Sequence, residues 1–225
     1  MRKALSIEEL KGIYGRIAGR YDSQHAIITA KADQRGRKIL VKNAVNEGDK
    51  ILDCGSGTGT TGILAAKKTG LNGKVTMFDL SDNMLAVARA KVIEKKLQDR
   101  VTFQTGDMVH LPFEDNKFKV VLSTYSLCPL YDPEKGALEM YRVAKRGGKI
   151  ACAHSIDPQN PLLKWLGDKV ENFAWHFHWL SMGCRSVNVI HALERAGGKV
   201  IYSKHIGIPL WPFFVFIVEK PKVSP

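Results

Sequence analysis

The run Ile51–Gly59, ILDCGSGTG, sets a carboxylate, Asp53, just ahead of three glycines at alternate positions, Gly55, Gly57 and Gly59. Glycines so spaced let the backbone turn sharply and let a ligand approach with no Cβ in its path. Two further acids follow. Asp79, in FDLSDNM, is placed to hydrogen-bond both hydroxyls of a ribose, and Asp107, in TGDM, to meet an adenine edge. A glycine loop with a later acid also describes dinucleotide binding. Asp53 decides against it, because a carboxylate at that point repels a pyrophosphate and suits a ligand carrying an ammonium group. The spacing agrees, being G-x-G-x-G and not G-x-G-x-x-G. The chemistry expected is recognition of a nucleoside with a cationic appendage.

A second substrate would meet different residues. Ser123, Thr124 and Tyr125 close a strand-like run and either orient an acceptor, hydrogen-bond the nucleoside, or simply cap the strand. His154, in ACAHS, ends another such run. An imidazole titrates near neutrality and is the natural general base, so His154 is the candidate, its alternative role being that of a hydrogen-bonded histidine shaping the pocket. Cys54, Cys128, Cys152 and Cys184 form no C-x-x-C pair and no Cys/His cluster, so no metal site is expected and the thiols read as reduced, buried bystanders.

These residues need a scaffold that presents strand ends to one rim. From Lys50 the chain alternates strand, glycine turn and helix: strands at Lys50–Cys54, Lys74–Asp79, Val101–Thr105, Val120–Thr124 and Lys149–His154, with helices at Thr60–Lys68, Ser81–Lys95 and Pro133–Val143. Such alternation implies a parallel, doubly wound sheet. A helix from Val187 to Ala196 then stops at Gly197-Gly198, and strands Lys199–His205 and Trp211–Glu219 are too closely connected to be anything but antiparallel. The fold expected is an α/β, Rossmann-like, doubly wound seven-stranded sheet with an antiparallel C-terminal strand. Ser6-Ile7-Glu8-Glu9 has capping-box spacing and opens a helix to about Arg16, and a second helix is expected over Thr29–Ala44, with Ala30, Ile39, Leu40 and Ala44 on one face and Lys31, Arg35 and Lys42 in water. One domain over 1–225 is expected: a helical N-terminal cover (1–46), a cofactor-binding core (47–155), and an acceptor-side helix with the C-terminal hairpin (156–225).

The acceptor-side helix is Pro161–Leu180. Leu163, Leu166, Val170, Phe173, Phe177 and Leu180 form an apolar stripe expected to pack on the core, with an acceptor pocket beneath it. Trp165, Trp175 and Trp179 fall outside the stripe, leaving aromatic surface for an apolar acceptor or a membrane interface. Net charge is +12 and unevenly spread: ten Lys/Arg against four Asp/Glu over 1–42, thirteen against thirteen over 43–144, eleven against five over 145–225. Basic flanks around a neutral middle suit an anionic partner or simply a soluble lysine-rich face. Nucleic acid is disfavoured, since the aromatics lie in a leucine-rich helix without interleaved arginines. The apolar run Ile206–Val218 is broken by Pro209 and Pro212 and falls short of a membrane span, and acids at Glu8 and Glu9 argue against a secretory signal. A cytoplasmic protein is expected, with peripheral contact to the inner face of an anionic membrane as an option.

Taken in order, ILDCGSGTG, FDLSDNMLAVARAK, TGDMVHLPFEDNKFKVVLS and ALEMYRVAKRGGK resemble the class I S-adenosylmethionine-dependent methyltransferases, especially the ubiquinone/menaquinone C-methyltransferase-like branch of the methyltransferase domain 11 type. RIAGRYD, Arg16–Asp22, resembles the segment that folds over the cofactor in that branch. The resemblance implies that S-adenosyl-L-methionine is bound and leaves as S-adenosyl-L-homocysteine. It implies that Asp53, Gly55 and Gly57 hold the methionine part, Asp79 and Leu80 the ribose, Asp107 and Met108 the adenine, with Met84, Ser123 and Thr124 also at the cofactor. Tyr14 and Tyr21 would close the lid, and Tyr125 would join His154 on the catalytic side. Where the branch has F-D and K-P-G-G, this chain has Phe118-Lys119 and Lys145-Arg146-Gly147-Gly148. Beyond Ser155 the pattern fades, and Met182–Cys184 with Ala192–Gly198 is similar to methyltransferase-like enzymes of thiols and small molecules. The implied partner is a small apolar acceptor such as a quinone precursor, with a thiol or a phospholipid amine as alternatives, or a cofactor-binding module without catalysis.

Overall fold

The computed structural model describes residues 4–29, 31–176, 183–209 and 211–222. Three helices precede the sheet: α1 (Ile7–Ile17), α2 (Tyr21–Ile28) and α3 (Ala32–Ala44). At α1 the capping box forms, the Glu9 amide donating to Ser6 Oγ (3.2 Å) and the Ser6 amide to Glu9 Oε2 (2.7 Å). The second helix begins at Ala32 instead of Thr29, and the Tyr21–Ile28 segment makes a helix of its own. Lys31, Arg35 and Lys42 are exposed as expected, but the buried face also takes in Asp33, Gly36 and Arg37.

The remaining elements are β1 (Lys50–Cys54), α4 (Thr60–Lys68), β2 (Lys74–Asp79), α5 (Asp82–Glu94), β3 (Val101–Thr105), β4 (Phe118–Thr124), α6 (Pro133–Val143), β5 (Ala144–Ser155), α7 (Pro161–Trp175), α8 (Ile190–Arg195), β6 (Lys199–Ile208) and β7 (Trp211–Glu219). Ser81 and Asp132 cap α5 and α6 through side-chain oxygens, as residues of these types do. The strands form one seven-stranded sheet in the order β3-β2-β1-β4-β5-β7-β6, parallel except for β7, which runs antiparallel to both neighbours. Both β4 and β5 start earlier than their apolar runs. They pair first at Phe118 and Ala144, and the register then shifts before Val120 meets Lys149.

Each strand feeds two cores by alternation. Ile51, Val75, Val120, Leu122 and Val215 point to the face covered by α3, α4 and α5, while Leu52, Phe78, Val121, Ile150 and Phe216 point to the face covered by α6 and α8. A third cluster joins α1 and Tyr21 to Met84 of α5, so the N-terminal cover is seated on the core. The connections after β1 and β4 lead to opposite directions along the sheet, and the carboxyl ends of these strands make the crevice where such folds bind ligands.

The stripe on α7 behaves otherwise than expected. Leu166 is 40% exposed and Val170 44%, and with Leu162 and Trp165 they make an outward apolar strip at helical spacing. Lys169 lies over the Trp165 ring at 4.1 Å. The end of the expected helix, at Phe177, Trp179 and Leu180, lies outside the described residues. No helix among the described residues is long and apolar enough to cross a membrane.

Candidate active site

The turn after β1 is built on left-handed glycines. The amides of Gly55 and Ser56 donate to the Phe78 carbonyl at 2.8 and 3.0 Å, and Gly55 has φ 65°. A Cβ there would overlap the Ser126 side chain, whereas one at Gly57 would meet nothing within 4 Å, so Gly57 leaves an open approach to its backbone. The Gly57 amide donates to Asp79 Oδ2 (2.7 Å) and the Ser81 amide to Oδ1 (2.9 Å). Burial pushes the Asp79 carboxyl up, and the amides of Ser81, Gly57 and Leu80 pull the other way. Each oxygen keeps a lone pair for a further donor such as a ribose hydroxyl.

Across the crevice, Asp107 accepts from the Val109 amide (2.9 Å) and from the Tyr131 hydroxyl (2.6 Å). Burial and the bond to this carboxylate push Tyr131 up to about 12. These groups line one open cleft. Of the residues singled out above, Tyr14, Tyr21, Gly55, Gly57, Asp79, Leu80, Met84, Asp107, Met108, Thr124 and Tyr125 line it. Leu10, Ser126, Pro129, Leu130 and Tyr131 line it too and carry no sequence signal beyond following β4 or facing inward on α1. Among the described residues none from α7 lines it.

Asp53, Ser123 and His154 stand off the lining. Asp53 is fully buried and neither carboxylate oxygen has a hydrogen-bond partner. Burial raises it to about 7; the Arg37 charge and the Gly62 amide oppose the rise, and Asp79 adds to it. A cation brought to the glycine loop would give this carboxylate the partner it lacks. Ser123 Oγ is 2.6 Å from Ser126 Oγ, which in turn donates to the Cys54 carbonyl (3.0 Å). His154 is wholly buried on the α6/α8 face, its ring against Phe214 and Phe216 and its Nδ1 3.1 Å from the Ser155 carbonyl oxygen. Burial, opposed only by that contact, lowers it to about 4. Its position at the end of β5 was legible, but alternation turns the side chain into the core on the far side from Tyr125.

Tyr125 is held in an unusual way. Its φ is 61°, a left-handed conformation costly for a bulky residue, and its amide donates to the Ala153 carbonyl at 2.7 Å. The ring packs on His25 and Phe213 and its hydroxyl fits the notch left by Gly36. Beneath it runs a buried polar network absent from the sequence reading. Arg37 donates through Nη1 to Thr61 and Thr124 (2.8 Å each), and its Nε lies 3.6 Å from Asp33. Burial would raise Asp33, but the hydrogen bond and charge of His25 and the charge of Arg37 hold it down to about 2.

With this geometry in place, known proteins can be set beside it. The sequence profile of the ubiE/COQ5 methyltransferase family matches residues 2–180. A demethylmenaquinone methyltransferase of Lactobacillus johnsonii is 29% identical over 89% of this chain and 93% of that protein. One from Listeria monocytogenes serotype 4a is 36% identical over 68% of this chain and 65% of that protein. Among solved structures, a SAM-dependent methyltransferase from Aquifex aeolicus superposes with TM-score 0.61 at 24% identity, covering 81% of this chain and 88% of that one. A geranyl diphosphate C-methyltransferase from Streptomyces coelicolor A3(2) gives TM-score 0.67 at 14% identity, covering 83% and 79%, a likeness of fold.

Proposed function

The chain belongs to the ubiE/COQ5 methyltransferase family and is an S-adenosylmethionine-dependent methyltransferase, and from that premise we propose that it methylates a ring carbon of a quinone precursor. The observation that carries this reading is the chemistry of the cleft wall contributed by α1, α2 and the β4–α6 loop. Leu10, Tyr14, Tyr21, Tyr125, Pro129 and Leu130 make it apolar and aromatic, suited to a flat ring. The named relatives point the same way, being demethylmenaquinone methyltransferases.

The residues present fit the cofactor. Gly57 leaves room for its methionine part, Asp53 supplies a buried carboxylate for the ammonium group, Asp79 receives the ribose hydroxyls, and Asp107 with Met108 meets the adenine, while Leu80, Met84 and Thr124 complete the enclosure. When bound, the sulfonium supplies an electrophilic methyl group. The chain's task is then to align an acceptor with it and to exclude water, and Tyr14 and Tyr21 on the seated cover do the excluding. The outward strip on α7 and the net charge of +12 favour peripheral contact with an anionic membrane, where a prenylated acceptor would reside.

The test is turnover with a reduced demethylated naphthoquinone against a thiol and an amine, following S-adenosylhomocysteine and the product mass. A quinol product heavier by one CH2 is expected. S-adenosylhomocysteine formed only with the thiol or the amine would overturn the reading.

A further inference from the structure

A carboxylate on the cover reaches the glycine loop. Asp22 lies in the first turn of α2, next to Tyr21, which lines the cleft. Its Oδ1 accepts from the hydroxyls of Thr58 (2.6 Å) and Thr60 (3.3 Å), and its Oδ2 pairs with Lys91 of α5. Thr58 stands between Gly57 and Gly59, and the Gly57 amide beside it donates to Asp79 Oδ2 (2.7 Å). One side chain of the cover is thus tied to the loop, to the start of α4 and to α5. Burial pushes the Asp22 carboxyl up, but Lys91 and the two hydroxyls outweigh it and hold the group below its ordinary value. The helix it belongs to is eight residues long and has no side-chain cap at Arg20. A helix so short is marginal by itself, and its partners decide where it stands. Apolar packing of Tyr21 with Leu10, Ile13 and Met84 seats it without direction, whereas hydrogen bonds to a charged group also fix its register.

We propose that Asp22 is a positioning residue that locks α2 onto the cofactor loop, holding Tyr21 at the cleft and setting how long a bound cofactor is retained. A ligand in the cleft lies between Leu10, Tyr14 and Tyr21 of the cover and Gly55 and Gly57 of the loop. These two walls belong to different elements, and the bond from Thr58 to Asp22 spans them. Parting the walls breaks that bond and the pair with Lys91, so both resist the cofactor's departure. Asp22, Thr58 and Lys91 are not among the lining residues, so their effect on retention passes through the cover and the loop. A carboxylate in the first turn of a helix also suits the helix dipole. That simpler role would be confined to α2. A lock depends equally on Thr58 and Lys91, which belong to the other wall.

This lock rests on the cofactor placement proposed above and is independent of the acceptor. Its test is the rate at which labelled S-adenosylhomocysteine leaves the protein when chased with unlabelled compound. Asp22→Asn and the isosteric Thr58→Val are each expected to speed release about 10-fold, with association within about twofold of the wild type. Lys91→Met, which removes a half-exposed ion pair and leaves α2 untouched, should speed it about two- to fivefold. Thr58→Ser, which keeps the hydroxyl, should release at the wild-type rate. The Asp22→Asn, Thr58→Val double variant should release no faster than the faster single one, because the two lose the same bond. Salt should speed release from the wild type and do so much less in Lys91→Met, a readout that a role confined to α2 would not move. Wild-type release from both Thr58→Val and Lys91→Met, or effects that multiply in the double variant, overturns the lock, and neither requires an Asp22 variant to fold. Asp79→Asn is the control for placement. If it weakens binding while the lock variants release at the wild-type rate, the placement stands and the lock fails; if it leaves binding unchanged, both fail. A wild type inert toward the quinol would sink the acceptor reading alone, since release involves no acceptor.

Discussion

Asp53→Asn tests the buried carboxylate at the end of β1, ahead of the glycine loop. Burial, opposed by Arg37 and the Gly62 amide, carries this carboxyl from 3.8 to about 7, with neither oxygen hydrogen-bonded. At about 1.4 kcal/mol per unit, the ionised form costs the folded protein about 4 kcal/mol in the absence of ligand, an order-of-magnitude figure. The sign follows from linkage. A carboxyl with a raised folded value lowers stability as pH climbs above its unfolded value, and the full penalty is reached above the folded value. Between pH 5 and pH 8 roughly 2–3 kcal/mol of that penalty accrues. Asparagine carries a burial cost of its own, but that cost does not change with pH, so comparing the two pH values cancels it. The stability gap, variant minus wild type, is expected to widen toward pH 8 by that amount. For a chain of this size this is roughly 5–10 °C in thermal midpoint. Urea melts or scanning calorimetry at the two pH values measure it. S-adenosylhomocysteine should reverse the trend, because its ammonium group gives only the wild-type carboxylate a partner; about 10-fold or more in affinity is expected to be lost in the variant. A gap that stays constant with pH, or equal affinity for the ligand, would refute the claim that Asp53 holds an uncompensated charge for the cofactor.

Two further outcomes are expected. Gly36→Ala places a Cβ on the Tyr125 hydroxyl and close to Ile206 Cδ1 (3.1 Å), so the anchored ring must shift. Overpacking of this kind costs about 1–3 kcal/mol, read as a thermal midpoint lowered by several degrees together with weaker S-adenosylhomocysteine binding. A variant as stable and as tight-binding as the wild type would show that Tyr125 is not held there. On α7, replacing Trp165 and Leu166 by alanine should leave stability within about 0.5 kcal/mol, since both are exposed. It should reduce flotation with anionic vesicles, and equal flotation of both proteins would remove the strip from any role at a membrane.

The glycine loop and the acids at the strand ends were legible because the physics that places them is local. Gly55, Gly57 and Gly59 all adopt positive φ, where L side chains are strained, and Asp79 and Asp107 end or follow strands whose apolar runs were plain. What stayed hidden depends on partners far away in sequence. On α3 the amphipathic reading sends charges to water, and Lys31, Arg35 and Lys42 obey it. Asp33 and Arg37 break it because His25, Thr61 and Thr124 satisfy them inside, and nothing in the α3 sequence announces a donor from another element. The α7 stripe failed for the converse reason: periodicity says that one face is apolar but not that anything covers it.

His154 and His25 show how much turns on face and partner once position is known. Both are buried, and both lie within one residue layer of Tyr125: His25 touches its ring, and His154 follows the Ala153 carbonyl that accepts from the Tyr125 amide. Alternation along β5 sends His154 among phenylalanines, where burial lowers it to about 4 and charge on it is unsupported. A helical cover sends His25 to a carboxylate that already accepts from Thr29 and Gln34. Around the same cleft the fold also retains an unpartnered Asp53 and a left-handed Tyr125. In a protein whose total stability is of the order of 5–15 kcal/mol, an uncompensated cost near 4 kcal/mol at Asp53 alone is a large fraction. Such a cost is tolerable only where two well-filled cores lie on either side of the sheet, and it is relieved when a cation enters the loop. Ligand binding should therefore stabilise this protein most at pH values where Asp53 is ionised.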